Sequence, residues 1–291
     1  MIGRVIKFHN SFFFVECGAR LIPCSLRGLL KRDKRLITIC PGDFVEITLL
    51  DDGSGVIKRV VDRKNLLIRP AAANIDQIVL TFAAAEPDLH PLLLNRFLVL
   101  AEAAAVEHII ICVNKIDLID DAAHFLDDYS SLYRIIRVSA RSGSGIDNLR
   151  AQLTDRVTVF TGPSGVGKSS ILNAVDPSIN QTVGSISDRI RRGKNTTRVA
   201  ELIKFAGGYL VDTPGFSAVE LADAGVDDKN LAHYFPEFHH HSARCRFNPC
   251  SHSHEPDCAV KSAVADGTIL EQRYAAYVAM LKELKEREKK L

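Results

Sequence analysis

A phosphate-binding loop lies past the middle of this 291-residue chain, behind segments that ordinarily come after it. Gly162-Pro163-Ser164-Gly165-Val166-Gly167-Lys168-Ser169 fits G-x-x-x-x-G-K-[ST], with the apolar run RVTVF before it and SSILNAV after it. That strand–loop–helix context is what the pattern requires. Glycines let successive backbone N–H groups turn inward around phosphate oxygens, and the following helix N-terminus adds a favourable dipole. The stretch from Gly162 to Ser170 is therefore assigned to nucleotide binding. Lys168 is placed to reach the β- and γ-phosphates, and the Ser169 hydroxyl to ligate Mg²⁺.

Two further segments belong to the same chemistry. YLVDTPGF puts Asp212 at the end of an apolar strand, where a carboxylate suits Mg²⁺ through a water, and leaves the Gly215 amide for the γ-phosphate. Between the P-loop and this segment, RRGKNTTR offers Thr196 or Thr197 to complete the metal shell. Upstream, Asn114-Lys115-Ile116-Asp117 follows the strand-like HIIICV, and Ser139-Ala140 follows RIIRV. A carboxylate at Asp117 accepts both the N1–H and the exocyclic amine of guanine; adenine lacks that donor pair and would leave the carboxylate unpaired. The Ser139-Ala140 turn supplies a backbone amide for the guanine O6. Together these segments select GTP and GDP. Their usual order is P-loop, threonine, DxxG, NKxD, SA; here the base-reading half comes first. A parallel sheet tolerates such a permutation because the termini of a compact domain lie close together. One consequence is mechanical. DTPG leads straight into the C-terminal section, so nucleotide state is expected to reach that section through residues 213–235.

The rest of the chain divides around this unit. Residues 1–68 read as short strands broken at Gly18 and DDGSG, a small barrel for which an OB-fold is the natural candidate and an SH3-like barrel the alternative. They carry 12 Lys+Arg against 7 Asp+Glu, and LRGLLKRDKR groups Arg27, Lys31, Arg32, Lys34 and Arg35 in a loop suited to phosphate contact. Residues 69–220 alternate continuous apolar strands with helices, the pattern of a parallel sheet covered on both faces. Residues 221–291 end in a charged helix whose stripe is Tyr274, Tyr277, Val278 and Leu281. No apolar run reaches 18 residues and no secretory cleavage site follows the N-terminus, so the expectation is a cytoplasmic monomer without a membrane role.

Three of the seven cysteines fall within fourteen positions. Cys245-x4-Cys250-x-His252-x5-Cys258 offers three thiolates and an imidazole, a full tetrahedral set for one structural Zn²⁺. His254 and His239 to His241 read as surface residues, and Cys17, Cys24, Cys40 and Cys112 as core. The permuted order, GPSGVGKSS, DTPGF and CRFNPCSHSHEPDCAV together resemble the RsgA/YjeQ family over nearly the whole chain. The resemblance implies an OB-fold, a circularly permuted α/β P-loop GTPase domain and a C-terminal zinc-binding, mainly helical domain. It also implies late maturation of the small ribosomal subunit, contact with its rRNA, and hydrolysis stimulated by that subunit. Two residues depart from expectation. Phe216 follows DTPG where many GTPases carry a water-orienting glutamine, and Asn195 stands where the family usually has a histidine. Asparagine orients water but does not titrate near neutrality. These two positions keep open a second reading, a nucleotide-gated rRNA-binding module with little intrinsic turnover.

Overall fold

Alternating apolar residues at the N-terminus close a barrel. The structure, a computed structural model, describes residues 1–26, 39–68, 71–179, 200–212 and 220–289. Strands β1 (Ile2–His9), β2 (Phe12–Cys17), β3 (Arg20–Leu26), β4 (Phe44–Leu49) and β5 (Gly55–Val60) are joined in the order β1-β2-β3-β5-β4. Every pair is antiparallel except β3 with β5. That order and the one parallel pair are those of an OB-fold and set aside the SH3-like alternative. Val5, Val15, Ile22, Cys24, Val45, Ile47 and Ile57 fill the interior. Breaks at Gly18 and DDGSG alone leave β1 and β2 as one strand; the structure turns between them at Asn10 and Ser11, both at positive φ (49° and 68°). Asparagine tolerates that region and suits a tight hairpin. The basic residues Arg27, Lys31, Arg32, Lys34 and Arg35 lie outside the described residues.

A short hairpin of β6 (Leu66–Ile68) and β7 (Ala71–Ala73) leads into the central sheet. The sheet contains β8 (Gln77–Ala83), β9 (His108–Asn114), β10 (Arg134–Arg137), β11 (Val157–Thr161), β12 (Glu201–Phe205) and β13 (Gly208–Asp212), in the order β10-β9-β8-β11-β13-β12. Among the described residues only β12 runs antiparallel to its neighbour in this sheet. All residues of β8 and β11 are buried, as expected for central strands covered on both faces. The strand before the P-loop, β11, therefore sits mid-sheet, with the chain's earlier strands on one side and its later ones on the other. Spatial order is preserved although chain order is permuted.

One face is covered by α2 (Ile146–Leu153) and α3 (Lys168–Val175), whose Leu149, Leu153, Ile171 and Val175 meet Val79 and Phe160. The other face is covered by α1 (Pro91–Ala103). Against α1 packs the C-terminal helix α6 (Glu271–Glu288); α4 (Pro236–Ser242) packs with α5 (Ala259–Ala265), and one core runs from Leu94, Phe97 and Leu98 to Phe238, Tyr277 and Leu281. The stripe of α6 differs from the sequence reading: Val278 is exposed, and Arg273, Ala276, Tyr277, Met280, Leu281 and Leu284 are buried. Arg273 is fully buried. Its Nε and Nη2 donate to the Glu237 carboxylate at 2.7 and 2.9 Å, its Nη1 donates to Asn95 Oδ1 of α1 at 2.9 Å, and its guanidinium lies 4.7 Å from the Phe235 ring centroid. Removing one partner strands the other charge in low dielectric, which typically costs about 3–5 kcal/mol. Urea denaturation should therefore show Glu237→Ala to be more destabilising than the paired change Arg273→Met with Glu237→Leu. A smaller loss in the single variant would contradict a buried, dependent ion pair.

The barrel docks on the hairpin of β12 and β13. Lys7 Nζ donates to Glu201 Oε1 at 2.8 Å, and Glu16 accepts from Tyr209 and pairs with Lys204. The Arg4 guanidinium lies 4.6 Å from the Phe44 ring centroid and 5.1 Å from that of Tyr209.

Candidate functional site

The C-terminal edge of the sheet brings the base-reading and phosphate-reading loops together, as parallel sheets do with ligand sites. Asn114 ends β9 and is 2 % exposed. Its Nδ2 donates to the Val166 carbonyl at 2.9 Å, and its Oδ1 accepts the Ala140 amide at 3.1 Å. One side chain thus joins the P-loop to the Ser139-Ala140 turn. Gly167 packs so closely on it that a Cβ there would run into Asn114 Nδ2, and its φ of 91° disfavours a side chain as well. Of the Ser139-Ala140 turn, expected to supply a backbone amide to guanine O6, the Ala140 amide is turned onto Asn114; a base in the site would have to share it.

Asp117 follows in a short turn, Ile116–Leu118, entered through Lys115 in the left-handed region. Ser139 Oγ donates to Asp117 Oδ1 at 2.6 Å. That bond holds the Asp117 carboxyl below its ordinary range, so it is an anionic acceptor at neutral pH. Ser139 itself is fixed by its turn: its amide donates to the Ser144 carbonyl at 2.9 Å, and its Oγ accepts the Ser142 amide at 3.1 Å. Lys115 donates to the Glu86 carbonyl, tying the base loop to the segment after β8, and Pro87 of that segment lies beside Gly165. Nothing in the sequence links Glu86 to Lys115; only the adjacency of β8 and β9 does so.

The P-loop passes from β11 into α3. At Gly162 (φ 145°) a Cβ would meet the Thr81 carbonyl of β8, so the loop's first residue cannot carry a side chain without moving a central strand. Lys168 Nζ donates to the carbonyls of Gly162 and Pro163 at 2.7 and 2.6 Å, which curls its ammonium back over the loop. Burial holds its pKa below the usual lysine value. Ser164, Gly165, Ser169 and Ser170 are exposed at the loop mouth and first helical turn, and Val166 is buried beneath it. In β13, Val211 pairs with Val159 of β11, so residue 212 reaches the same edge as the P-loop. Thr196, Thr197, Gly215, Asn195 and Phe216 lie outside the described residues, as do residues 213–219 of the segment expected to carry nucleotide state onward.

The metal candidate lies in the C-terminal helices. Ligand atoms of Cys245, Cys250, His252 and Cys258 all fall within 4.8 Å of one another. A tetrahedral zinc with ordinary bond lengths requires edges of about 3.8 Å between sulfurs and about 3.6 Å between sulfur and nitrogen. Cys245 Sγ lies 3.9 Å from Cys258 Sγ, and His252 Nδ1 lies 3.6 Å from Cys245 Sγ and 3.4 Å from Cys258 Sγ. These residues fit the ion. Burial and the neighbouring thiols push the Cys250 thiol up to about 12, a cost that a divalent cation would reverse by holding thiolates. Tyr274 and Tyr277 donate to the carbonyls of His252 and Ser251 at 2.9 and 2.7 Å, fixing the backbone that presents the imidazole. His239, His240 and His254 are exposed, and His241 is half-buried; none belongs to the cluster. Cys24, Cys40 and Cys112 are buried, and Cys17 partly so.

The comparisons with known proteins agree along the whole chain. The RsgA GTPase family profile matches residues 60–222, and the RsgA N-terminal domain profile matches residues 2–57. The chain is 42% identical to the small ribosomal subunit biogenesis GTPase RsgA of Thermotoga petrophila, over 99% of this chain and 98% of the relative. It is 37% identical to the protein so named in Caldanaerobacter subterraneus, over 99% and 97%. Among solved structures, YjeQ from Thermotoga maritima superposes with a TM-score of 0.85 at 40% identity, covering 97% of this chain and 98% of that one. YloQ, described as a circularly permuted GTPase, superposes at 0.81 with 36% identity, covering 98% and 95%.

Proposed function

The chain belongs to the RsgA GTPase family, and from that premise we propose that it hydrolyses GTP as an assembly factor in late maturation of the small ribosomal subunit, with turnover stimulated by that subunit. The observation that carries the nucleotide half of this reading is the pair of hydrogen bonds of Asn114, donated to the P-loop carbonyl of Val166 and accepted from the Ala140 amide. It sets the base pocket and the phosphate cradle at one fixed separation, which is what a guanosine nucleotide spans.

In this reading Asp117 accepts the guanine N1–H and amine, with Ser139 and Ala140 closing the base pocket. The amides of the loop from Gly162 to Ser170 surround the phosphates, and Lys168 leaves its loop carbonyls for the β- and γ-oxygens. Ser169, Asp212 and Thr196 or Thr197 would hold Mg²⁺, which would offset phosphate charge. The Gly215 amide meets the γ-phosphate. Cys245, Cys250, His252 and Cys258 hold one zinc as a structural staple, since a full set of four protein ligands leaves no open position for chemistry. We place the domain limits at 1–68, 69–220 and 221–291, supported by the closed barrel ending at Val60 and by the cluster of C-terminal helices. A monomer in the cytoplasm suits this role. Among the described residues no helix is long and apolar enough to cross a membrane.

Hydrolysis measured with small subunits, large subunits and neither tests the proposal. Small subunits should raise the rate at least about tenfold and large subunits should not; phosphate-transfer enzymes that gain a group in trans show rises of this size and more. Tight GTP-dependent subunit binding without any rise in rate would replace it with the nucleotide-gated module.

A further inference from the structure

The metal-ligating imidazole is itself held by a hydroxyl. Ser242, the last residue of α4, places its Oγ 3.2 Å from His252 Nε2. The same Oγ lies 2.8 Å from the Phe238 carbonyl, one helical turn back. A carbonyl only accepts, so the single hydroxyl proton is spent on Phe238, and Oγ faces His252 with a lone pair. His252 Nε2 must then carry the imidazole proton. That leaves Nδ1 with its lone pair free, and Nδ1 is the nitrogen 3.6 and 3.4 Å from the Cys245 and Cys258 sulfurs. Tautomer and geometry agree. His252 is 3 % exposed, and the Phe238 ring lies edge-on to it with centroids 5.7 Å apart. Water therefore has little room to replace Ser242 as the acceptor.

We propose that Ser242 is the positioning residue of the metal centre: it fixes the Nε2-protonated tautomer of His252, aims Nδ1 at the ion, and links the centre to α4. The proposal rests on the zinc reading above. It also gives α4 two duties, because Glu237, next to Phe238 in the same helix, holds Arg273 and through it Asn95 of α1.

The test uses the full chain purified with zinc. Competition with a chromogenic chelator should show Ser242→Ala binding zinc about 10–100-fold more weakly than the parent chain, the loss usual for outer partners of metal ligands. Ser242→Thr, which keeps the hydroxyl, should restore affinity to within about threefold. Long-range ¹H–¹⁵N spectra of the parent chain should show His252 protonated at Nε2 and metal-bound at Nδ1. Unchanged affinity in Ser242→Ala, or an Nε2-bound metal in the parent chain, would overturn the role of Ser242 while leaving the zinc site standing. A parent chain that takes up no zinc would overturn the metal reading, and the role of Ser242 with it.

Discussion

Asp117→Asn should lower GTP affinity by about 10³-fold and raise XTP affinity, so that the variant prefers the xanthine nucleotide. Guanine offers two donors, N1–H and the exocyclic amine, and an anionic carboxylate meets both. Xanthine keeps N1–H but carries a carbonyl in place of the amine. An asparagine amide facing it must present oxygen to N1–H and nitrogen to the carbonyl. The structure shows which amide atom faces Ser139. Ser139 Oγ donates at 2.6 Å to Oδ1, and the same hydroxyl oxygen already accepts the Ser142 amide. Its proton therefore needs an acceptor, which holds the amide oxygen at the Oδ1 position and leaves Nδ2 at the other. With the Oδ1 position toward N1–H, the orientation this prediction takes, guanine meets nitrogen with its amine, donor against donor, and an unpaired polar group in a binding site carries the full desolvation penalty. Fluorescence displacement of a labelled nucleotide by GTP, XTP and ATP would measure the switch. Equal loss for GTP and XTP would mean that Asp117 supports the loop without reading the base.

Adding Ser139→Ala to that variant should blur the switch, because the amide could then turn either way. The base-reading pair was plain in the sequence, as four residues after one apolar strand and two after the next. The bond between Asp117 and Ser139, which joins residues 22 positions apart, became visible only when β10 was laid beside β9.

The same contrast holds elsewhere in the molecule. Local chemistry wrote the P-loop, the strands before the nucleotide segments and the spacing of the zinc ligands, because each depends on neighbours in the chain. The barrel's type did not follow from its alternation, which suits several closed sheets; the parallel pairing of β3 with β5 decides it. Nor did the seating of the C-terminal helices. By composition α6 is a charged helix with a narrow apolar stripe, and a sequence pattern places Arg273 in solvent. In the folded chain Glu237 and Asn95, 36 and 178 positions away, neutralise and bond it, and Arg273 becomes fully buried. Hydrophobic periodicity carries no signal for such a residue, since its partners lie on other helices.

Loss of the proposed zinc should have the larger structural effect, and a confined one. Cys258→Ser replaces a buried cysteine of the candidate zinc set that also sits at the N-terminal end of α5. The segment from Cys245 to Cys258 has no helix or strand of its own. The four candidate ligand side chains shape it, together with the Tyr274, Tyr277 and Ser242 hydroxyls, the Arg246–Asp257 pair, and a local network in which Glu255 accepts the Ser251 and Ser253 amides and Lys261 donates to the Ser253 and Glu255 carbonyls. Structural zinc contributes about 10–16 kcal/mol of apparent binding energy in small zinc peptides, and for such segments binding energy is folding energy. Here α6 keeps its own apolar contacts to α1 through Met280, Leu281 and Leu284, so opening should stop short of that helix. The expected result in Cys258→Ser, and in the parent chain after chelation, is a first thermal transition lowered by about 10 °C or more. Amide hydrogen exchange should speed up across residues 242–265 and leave β8, β9 and β11 protected. GDP affinity should hold within a few-fold, since no described contact joins the cluster to Asn114, Asp117 or Lys168. Exchange should also rise in α1 near Asn95, because α4 carries both Ser242 against the ligand imidazole and Glu237 against Arg273. A zinc-free chain with an unchanged first transition would show the cysteines to be packing residues. Rapid exchange confined to residues 245–258, with α4 and α1 silent, would show that the metal centre and the GTPase domain are joined by the apolar core alone.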